Sequence, residues 1–191
     1  MRAAIEGDML RRQPPSSLPR LWLFTDERVE EAHLLRAIAR LPRGAGVVFR
    51  HYGLEREARR DLFDKVVTLA RRHGLLLLAA GDVPGRGAHG VHRPAHAATR
   101  RKVLLGLVSA AVHDMRQLAA AYRAGADIVF ISPVFPTRSH PGGQTLGPMH
   151  FATLTRRARC PVIALGGMTP ARFRRLKPLG AHGWAAIDAL C

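Results

Sequence analysis

The sequence predicts an α/β protein, a single compact (β/α)8 TIM barrel, on three observations. Eight short apolar runs alternate with longer amphipathic stretches, which is the pattern of repeated βα units around a parallel sheet. Gly74, Gly125 and Gly180 each follow a helical pattern, where a left-handed cap suits glycine, and a strand follows closely. The chain has 191 residues, so a barrel of this length needs tight connections.

Each predicted strand is a short apolar run, and the run at 90–92 is the weakest of them. The predicted strands are, in order, residues 21–25, 46–50, 75–79, 90–92, 103–108, 127–132, 161–165 and 183–187. The predicted helices are residues 31–40, 55–73, 114–124, 149–157 and 169–179. No helix is expected over 93–101, which is short and rich in Pro and His. A doubly wound open sheet is the alternative, but its glycine-rich turn is absent after the first strand.

The composition of 47% hydrophobic and 23% charged residues fits one globular domain over 21–191, behind an N-terminal extension at 1–20. No apolar run approaches the roughly 20 residues of a membrane-spanning helix, and the first 20 residues lack the apolar core of a signal peptide. We therefore expect a cytoplasmic protein without a membrane partner. Cys160 and Cys191 are the only cysteines, which excludes a disulfide framework and a C-x-x-C motif.

The chain is strongly basic, with a net charge of +16, and 27 of its 30 basic residues are Arg because Lys occurs only at 65, 102 and 177. Such a charge attracts phosphate-rich partners. Along the sequence, however, the arginines are spread over helical faces, and aromatic residues are only 6% of the chain. Specific nucleic-acid binding is therefore not expected.

We expect two loops to form the active site, because the active site of such a barrel lies at the carboxyl ends of its strands. After the seventh strand, Gly166 and Gly167 let backbone amides approach an anion, and Thr169 with Pro170 opens a helix. We expect a phosphate site there, completed by the amides near Ala185 and Ala186 after the eighth strand. A tight loop without a ligand is the alternative.

The long loop at 132–147, after the sixth strand, is the second predicted part of the site. Thr137 and Ser139 offer hydroxyl groups, while Arg138 and His140 offer cationic or titratable groups for an anionic substrate. A surface loop with incidental polarity is the alternative.

The segments 125–137 (GADIVFISPVFPT) and 161–170 (PVIALGGMTP), with Gly147 between them, resemble the thiamine phosphate synthase family, which includes the TenI-type thiazole tautomerases. The resemblance covers about residues 20–191 and is most specific in the last third. It implies the (β/α)8 fold and binding of a thiazole phosphate and a pyrimidine-methyl pyrophosphate, which condense to thiamine phosphate and pyrophosphate. A homodimer is the default assembly.

For individual residues, the resemblance implies that Gly166 and Gly167 bind the thiazole phosphate, that Thr137 supplies a hydroxyl, and that Arg50 reaches pyrophosphate. The family also implies Mg²⁺, but the matching carboxylates are missing from this chain. An acidic segment after the fourth strand is replaced by Pro94-Ala95-His96-Ala97, and a metal-binding aspartate before the fifth strand falls on Lys102. We therefore predict no metal ligands.

His113, in the position of the histidine that shuttles a proton on the thiazole ring in the tautomerase branch, is the candidate acid or base. Imidazole suits that task because it titrates near neutral pH. A surface or capping role is the alternative for His113, and His92 and His140 are further candidates.

Three functions remain open from the sequence. The first is thiamine phosphate synthesis with an altered pyrophosphate site, which predicts turnover without metal. The second is a thiazole phosphate tautomerase, or an inactive barrel that binds a thiamine precursor, which predicts binding without condensation. The third is a basic, nucleic-acid-associated barrel, which predicts salt-dependent binding of DNA or RNA.

Overall fold

In the computed structural model, which describes residues 18–81, 87–94, 106–139 and 142–190, eight parallel strands close into a barrel in sequence order. The strands are β1 Leu21–Phe24, β2 Gly46–Phe49, β3 Leu76–Ala80, β4 Gly90–Arg93, β5 Leu107–Val112, β6 Ile128–Ile131, β7 Val162–Leu165 and β8 Gly183–Ala186. The helices are α1 Glu31–Ala39, α2 Arg56–His73, α3 Met115–Arg123, α4 Gly147–Arg157 and α5 Pro170–Leu176, followed by a 3-10 turn at Lys177–Leu179. The predicted fold class is confirmed.

The core has an inner layer inside the barrel and an outer layer under the helices. Trp22, Phe24 and Phe130 meet edge to face within the inner layer, at centroid distances of 5.3 Å and 4.9 Å. The alternate residues Leu23 and Val47 point outward and pack with the apolar faces of α1 and α2. This alternation is the period of two expected of strands, so each strand serves both layers.

The fifth strand differs most from its prediction. The apolar run at 103–108 indicated a strand, but β5 begins at Leu107 and continues to Val112. Gly106 has φ +109°, and a Cβ there would come within 2.6 Å of the carbonyl oxygen of His89, so the chain turns at this glycine before the strand starts. The small residues Ser109 and Ala110 that follow are buried and pair with β4 and β6.

Residues 1–17 of the predicted extension, His140, and the start of the predicted fifth strand lie outside the described residues. Within the described part of the chain, no helix has the length and apolar character needed to cross a membrane.

Candidate active site

The carboxyl ends of the strands surround a cavity of about 640 Å³. Most of the candidate residues from the sequence line it together: Arg50, His113, Thr137, Arg138, Ser139, Gly166, Gly167 and Ala186. Ala185 is absent from the lining because its side chain is fully buried inside the barrel. The two predicted loops therefore meet at one cavity, as expected of this fold.

Glycine is required at both positions of the turn after β7. Gly166 has φ +93° and Gly167 has φ +58°, which side chains rarely adopt. A Cβ on Gly166 would lie 2.7 Å from Cα of Pro133, and one on Gly167 would collide with the carbonyl oxygen of Pro136. The N–H of Gly167 has no hydrogen-bond partner among the described residues, so it remains available to an anion.

The turn is held from the helix that follows it. Thr169 caps α5, since its hydroxyl oxygen accepts from the backbone N–H of Arg172 at 3.2 Å. The guanidinium of Arg172 donates to the carbonyl oxygen of Gly167 and lies over the ring of Phe135 at 4.7 Å. Arg172 thus places positive charge beside the turn, a feature that the sequence analysis missed.

The loop after β6 is docked on the same turn. The N–H groups of Val134 and Phe135 donate to the carbonyl oxygens of Leu165 and Gly166, at 2.9 Å and 3.1 Å. The far end of the loop returns to its start, since Leu146 N–H donates to Pro133 at 2.9 Å. The Ser132–Pro133 peptide bond within this loop is cis. Thr137, Arg138 and Ser139 are thereby brought to the cavity mouth.

His113 lies on the cavity wall directly after β5. Its Nδ1 is 2.6 Å from the carbonyl oxygen of Ser132, and its backbone N–H donates to the side chain of Gln117 at 2.7 Å. Because a carbonyl oxygen only accepts, Nδ1 carries the proton in the neutral ring, and Nε2 then has the free lone pair. The side chain of His113 is exposed, so its Nε2 can exchange a proton with a ligand.

His92, which the sequence analysis ranked behind His113, lies at the buried floor of the cavity. Its Nδ1 is 2.8 Å from the hydroxyl of Ser109, and its ring stands edge-on to Phe24 and Phe130. Burial, with a further contribution from the charge of Arg50, lowers the pKa of His92 to about 3. The ring is therefore neutral at physiological pH.

Arg50 reaches the cavity, but its guanidinium already has protein partners. Its Nε donates to the carbonyl oxygen of Thr25 at 2.9 Å, and an Nη donates to Asp26 at 2.9 Å. Burial lowers the pKa of Arg50, although Asp26 opposes that shift. Burial by itself would raise the pKa of Asp26, but hydrogen bonds from Arg28 and the charges of Arg50 and Arg28 outweigh it, so this pKa is lowered.

A chain of charges crosses the cavity mouth between the loops after β1, β6 and β8. Asp188 accepts from Arg138 at 3.3 Å and lies 3.8 Å from Arg28. Arg28 also donates to the hydroxyl of Ser139 at 3.0 Å, and Ser139 N–H is 3.4 Å from the hydroxyl of Thr137. Asp188 follows the eighth strand by two residues, and this position was the only sequence signal for it.

The residues present do not suit the Mg²⁺ that the resemblance implies. Mg²⁺ takes oxygen ligands, and proteins usually hold it through one or two free carboxylates together with water and substrate phosphates. Asp188 is the one carboxylate among the described residues that line the cavity, and it is paired with two arginines. No group of three or more potential metal-ligating side chains occurs within the described parts of the chain.

Comparisons with known proteins agree with the fold. The chain is 29% identical over 180 residues to a "Putative thiamine-phosphate synthase 2" of Aquifex aeolicus, covering 90% of this chain and 97% of that protein. It is 33% identical to the thiamine-phosphate synthase of Bordetella pertussis, covering 100% of this chain and 78% of that protein.

Among solved structures, a thiamine phosphate pyrophosphorylase from Pyrococcus furiosus has a TM-score of 0.76 at 20% identity, covering 89% of this chain and 86% of that one. This similarity shows the fold. The sequence profile described as thiamine monophosphate synthase matches residues 21–190, which is nearly the whole barrel. The chain therefore belongs to the thiamine monophosphate synthase family.

Proposed function

We propose that the cavity binds a thiazole phosphate with its phosphate group at the turn of Gly166 and Gly167. The N–H of Gly167 is without a partner among the described residues, and the guanidinium of Arg172 lies beside it. Amides and arginines are the donors that phosphate groups prefer. The family's relation to thiamine precursors supports the same assignment.

We further propose that His113 moves a proton on the bound ring, which makes the protein a thiazole phosphate tautomerase. The observation that carries this proposal is the hydrogen bond of His113 Nδ1 to the carbonyl oxygen of Ser132, which leaves Nε2 as the basic nitrogen. Nε2 takes a proton from one ring position, and the imidazolium returns it at another. The reaction needs no metal and no leaving group.

The test compares two histidines with similar hydrogen bonds. His150 also holds Nδ1 close to a carbonyl oxygen, that of Leu146, but it is exposed on α4 and does not line the cavity. We expect His113→Asn to slow tautomerisation at least about 100-fold, since general acid–base catalysis contributes about 10²–10⁴. Binding of thiazole phosphate, measured by calorimetry, changes less than about threefold. The control His150→Asn keeps the full rate, and an unchanged rate in His113→Asn rejects the role of His113.

Condensation to thiamine phosphate is the second candidate, and the sequence analysis placed it first. The observation in its favour is that Arg50, Thr137 and Arg138 line the same cavity as the glycine turn. Against it, Arg50 is paired with Asp26, and the described carboxylates do not suit Mg²⁺. Incubation with both substrates, in Mg²⁺ or in chelator, decides the matter, because thiamine phosphate becomes fluorescent after oxidation. We expect no product; product in either condition would favour condensation.

The cytoplasmic location and the homodimer remain proposals from the sequence. Neither changes the assignment of the site, because every group used above comes from one chain.

A further inference from the structure

The amino-terminal end of the barrel, opposite the cavity, collects exposed arginines. The helices return antiparallel to the strands, so their last turns and the connections into the next strands meet at this end. Each of the five helices in the described parts of the chain carries an arginine in the last turn. We define the basic end as the surface formed by Arg43, Arg72, Arg123, Arg157, Arg159 and Arg175, all of them exposed.

Contacts at two places show that neighbouring connections at this end of the barrel touch each other. The backbone N–H of Arg159, before β7, donates to the hydroxyl of Tyr122 in the last turn of α3 at 2.6 Å. On the other side of the barrel, Gly44 N–H donates to the carbonyl oxygen of Gly74 at 3.0 Å, which joins the connection carrying Arg43 to the end of α2.

The acidic residues lie mostly at the other end. Eight of the eleven described carboxylates are in the loops after strands or in the first turns of helices, beside the cavity: Asp26, Glu27, Glu30, Glu31, Glu55, Glu57, Asp114 and Asp188. Asp127 is the only described carboxylate in the connections at the basic end, and it accepts from the backbone N–H of Val108 at 2.8 Å. The barrel is thus polarised along its axis.

Stabilisation of helix ends explains only part of this pattern. A cation in the last turn interacts favourably with the helix dipole. Arg43 and Arg159, however, lie in connections outside the helices. None of the six arginines of the basic end forms an ion pair with a carboxylate of the described residues. Their charges are therefore available to an external anion.

We propose that the basic end binds the phosphodiester backbone of nucleic acid without regard to sequence. The planar guanidinium group matches a phosphate with two parallel hydrogen bonds, and the basic residues of this chain are almost all arginine. The sequence pattern argued against such binding because the arginines are dispersed along the chain. The fold brings them together at one end, which the sequence order conceals.

The distribution of apolar residues favours nucleic acid over a membrane. The large exposed hydrophobic side chains in the described chain are Tyr52, Leu54, Met115 and Met149, and all four lie in a loop after a strand or in the first turn of a helix, at the cavity end of the barrel. Among the described residues, the basic end therefore offers no large, exposed apolar side chain for insertion among lipids or for stacking on bases. Contact with phosphates alone remains, which is the sequence-independent mode.

The experiment follows the anisotropy of a fluorescein-labelled duplex of about 20 base pairs on titration with the full chain, between about 50 and 200 mM salt. Six phosphate contacts predict that log K falls with log salt with a slope of about −5. Duplexes of unrelated sequence, and an RNA duplex, bind about equally under this proposal. Absence of binding at 50 mM salt would overturn it.

A matched pair of variants locates the binding. The triple variant Arg123→Gln, Arg157→Gln and Arg175→Gln removes three charges from the basic end, and Arg56→Gln, Arg60→Gln and Arg116→Gln removes three exposed charges beside the cavity. We expect the first to weaken binding at least about tenfold at 100 mM salt and to reduce the slope by about 2.7, with a much smaller effect of the second. Equal effects would overturn the proposal, because net charge alone would then explain binding.

Two further measurements separate this surface from the other possibilities. Calorimetry with thiazole phosphate should give the same affinity in both triple variants, so failure of the cavity assignment leaves this test intact. Vesicles of equal phosphatidylglycerol and phosphatidylcholine should bind more weakly than the duplex. Tighter binding to vesicles, lost in the first triple variant, would assign the surface to a membrane and overturn the proposal.

Discussion

The two walls of the cavity differ in what their polar groups already bind. On the wall formed by the ends of β5, β6 and β7, His113 Nε2 and the N–H of Gly167 have no partner among the described residues. On the wall formed by the ends of β1 and β2, Arg50 is bound to the carboxylate of Asp26 and to the carbonyl oxygen of Thr25. We call these the open wall and the paired wall.

This difference shows that a polar group can line the cavity without being free to bind a ligand. A polar group that already has good partners must exchange them to bind a ligand, and its net gain is small. A donor without a protein partner exchanges only water for the ligand, so its net gain is larger. The open wall therefore carries the proposed function, whereas the paired wall stabilises the ends of its strands.

The largest expected effect is a loss of phosphate binding at the open wall. We expect Gly167→Asp to reduce affinity for thiazole phosphate at least about 100-fold, because the side chain collides with Pro136 and adds negative charge beside the phosphate. Gly142→Asp is the control, since Gly142 has a similar positive φ of +73° but open space around its Cβ position. Calorimetry gives both affinities. Equal losses in the two variants would contradict the assignment of the phosphate site.

A smaller effect tests the paired wall. We expect Arg50→Ala to lower the free energy of unfolding by about 1–3 kcal/mol, since it leaves Asp26 without one of its charged partners. Affinity for thiazole phosphate should change less than about threefold. Urea denaturation and calorimetry measure the two quantities, with the exposed Arg60→Ala as control. A large loss of affinity at unchanged stability would show that Arg50 serves the ligand.

The effect that is smallest at neutral pH concerns the floor between the walls. The pKa of His92 is about 3 in the folded protein, against 6.5 for a free imidazole. Between these values the unfolded chain binds more protons than the folded one, so stability falls as pH falls, by at most about 1.4 kcal/mol per pH unit. We expect His92→Phe to reduce this slope between pH 6 and 4, as measured by urea denaturation. Parallel curves for the variant and the parent protein would refute a neutral, buried His92.

Much of the fold follows from the local sequence. Helix α5 begins where Thr169 and Pro170 predict a cap and a first turn, and α2 ends at Gly74 in the left-handed region. The predicted fifth strand begins too early in the sequence. The apolar run at 103–108 resembles a strand more closely than do the Ser and Ala residues that form the second half of β5. Burial of these small residues depends on neighbouring strands, which local patterns do not encode.

The parts of the site formed by backbone turns were predictable from the sequence. The parts that depend on which side chains pair with each other were less so. The positions of Gly166 and Gly167 follow from the order of the strands, which places their turn on the cavity. The engagement of Arg50 by Asp26 depends on the loop after β1 approaching the end of β2, and the lining role of Asp188 depends on barrel closure. Neither contact leaves a signal in local sequence.

The two tryptophans of this chain lie in different layers of the core, which has a consequence for the protein's intrinsic fluorescence. Trp22 is fully buried inside the barrel, with its indole N–H donating to Pro19, and Trp184 is 8% exposed in the outer layer. Neither ring lines the cavity. Tryptophan fluorescence therefore reports on the packing of both layers at once. We expect ligand binding to change it little, so that a change in fluorescence during titration with thiazole phosphate indicates unfolding.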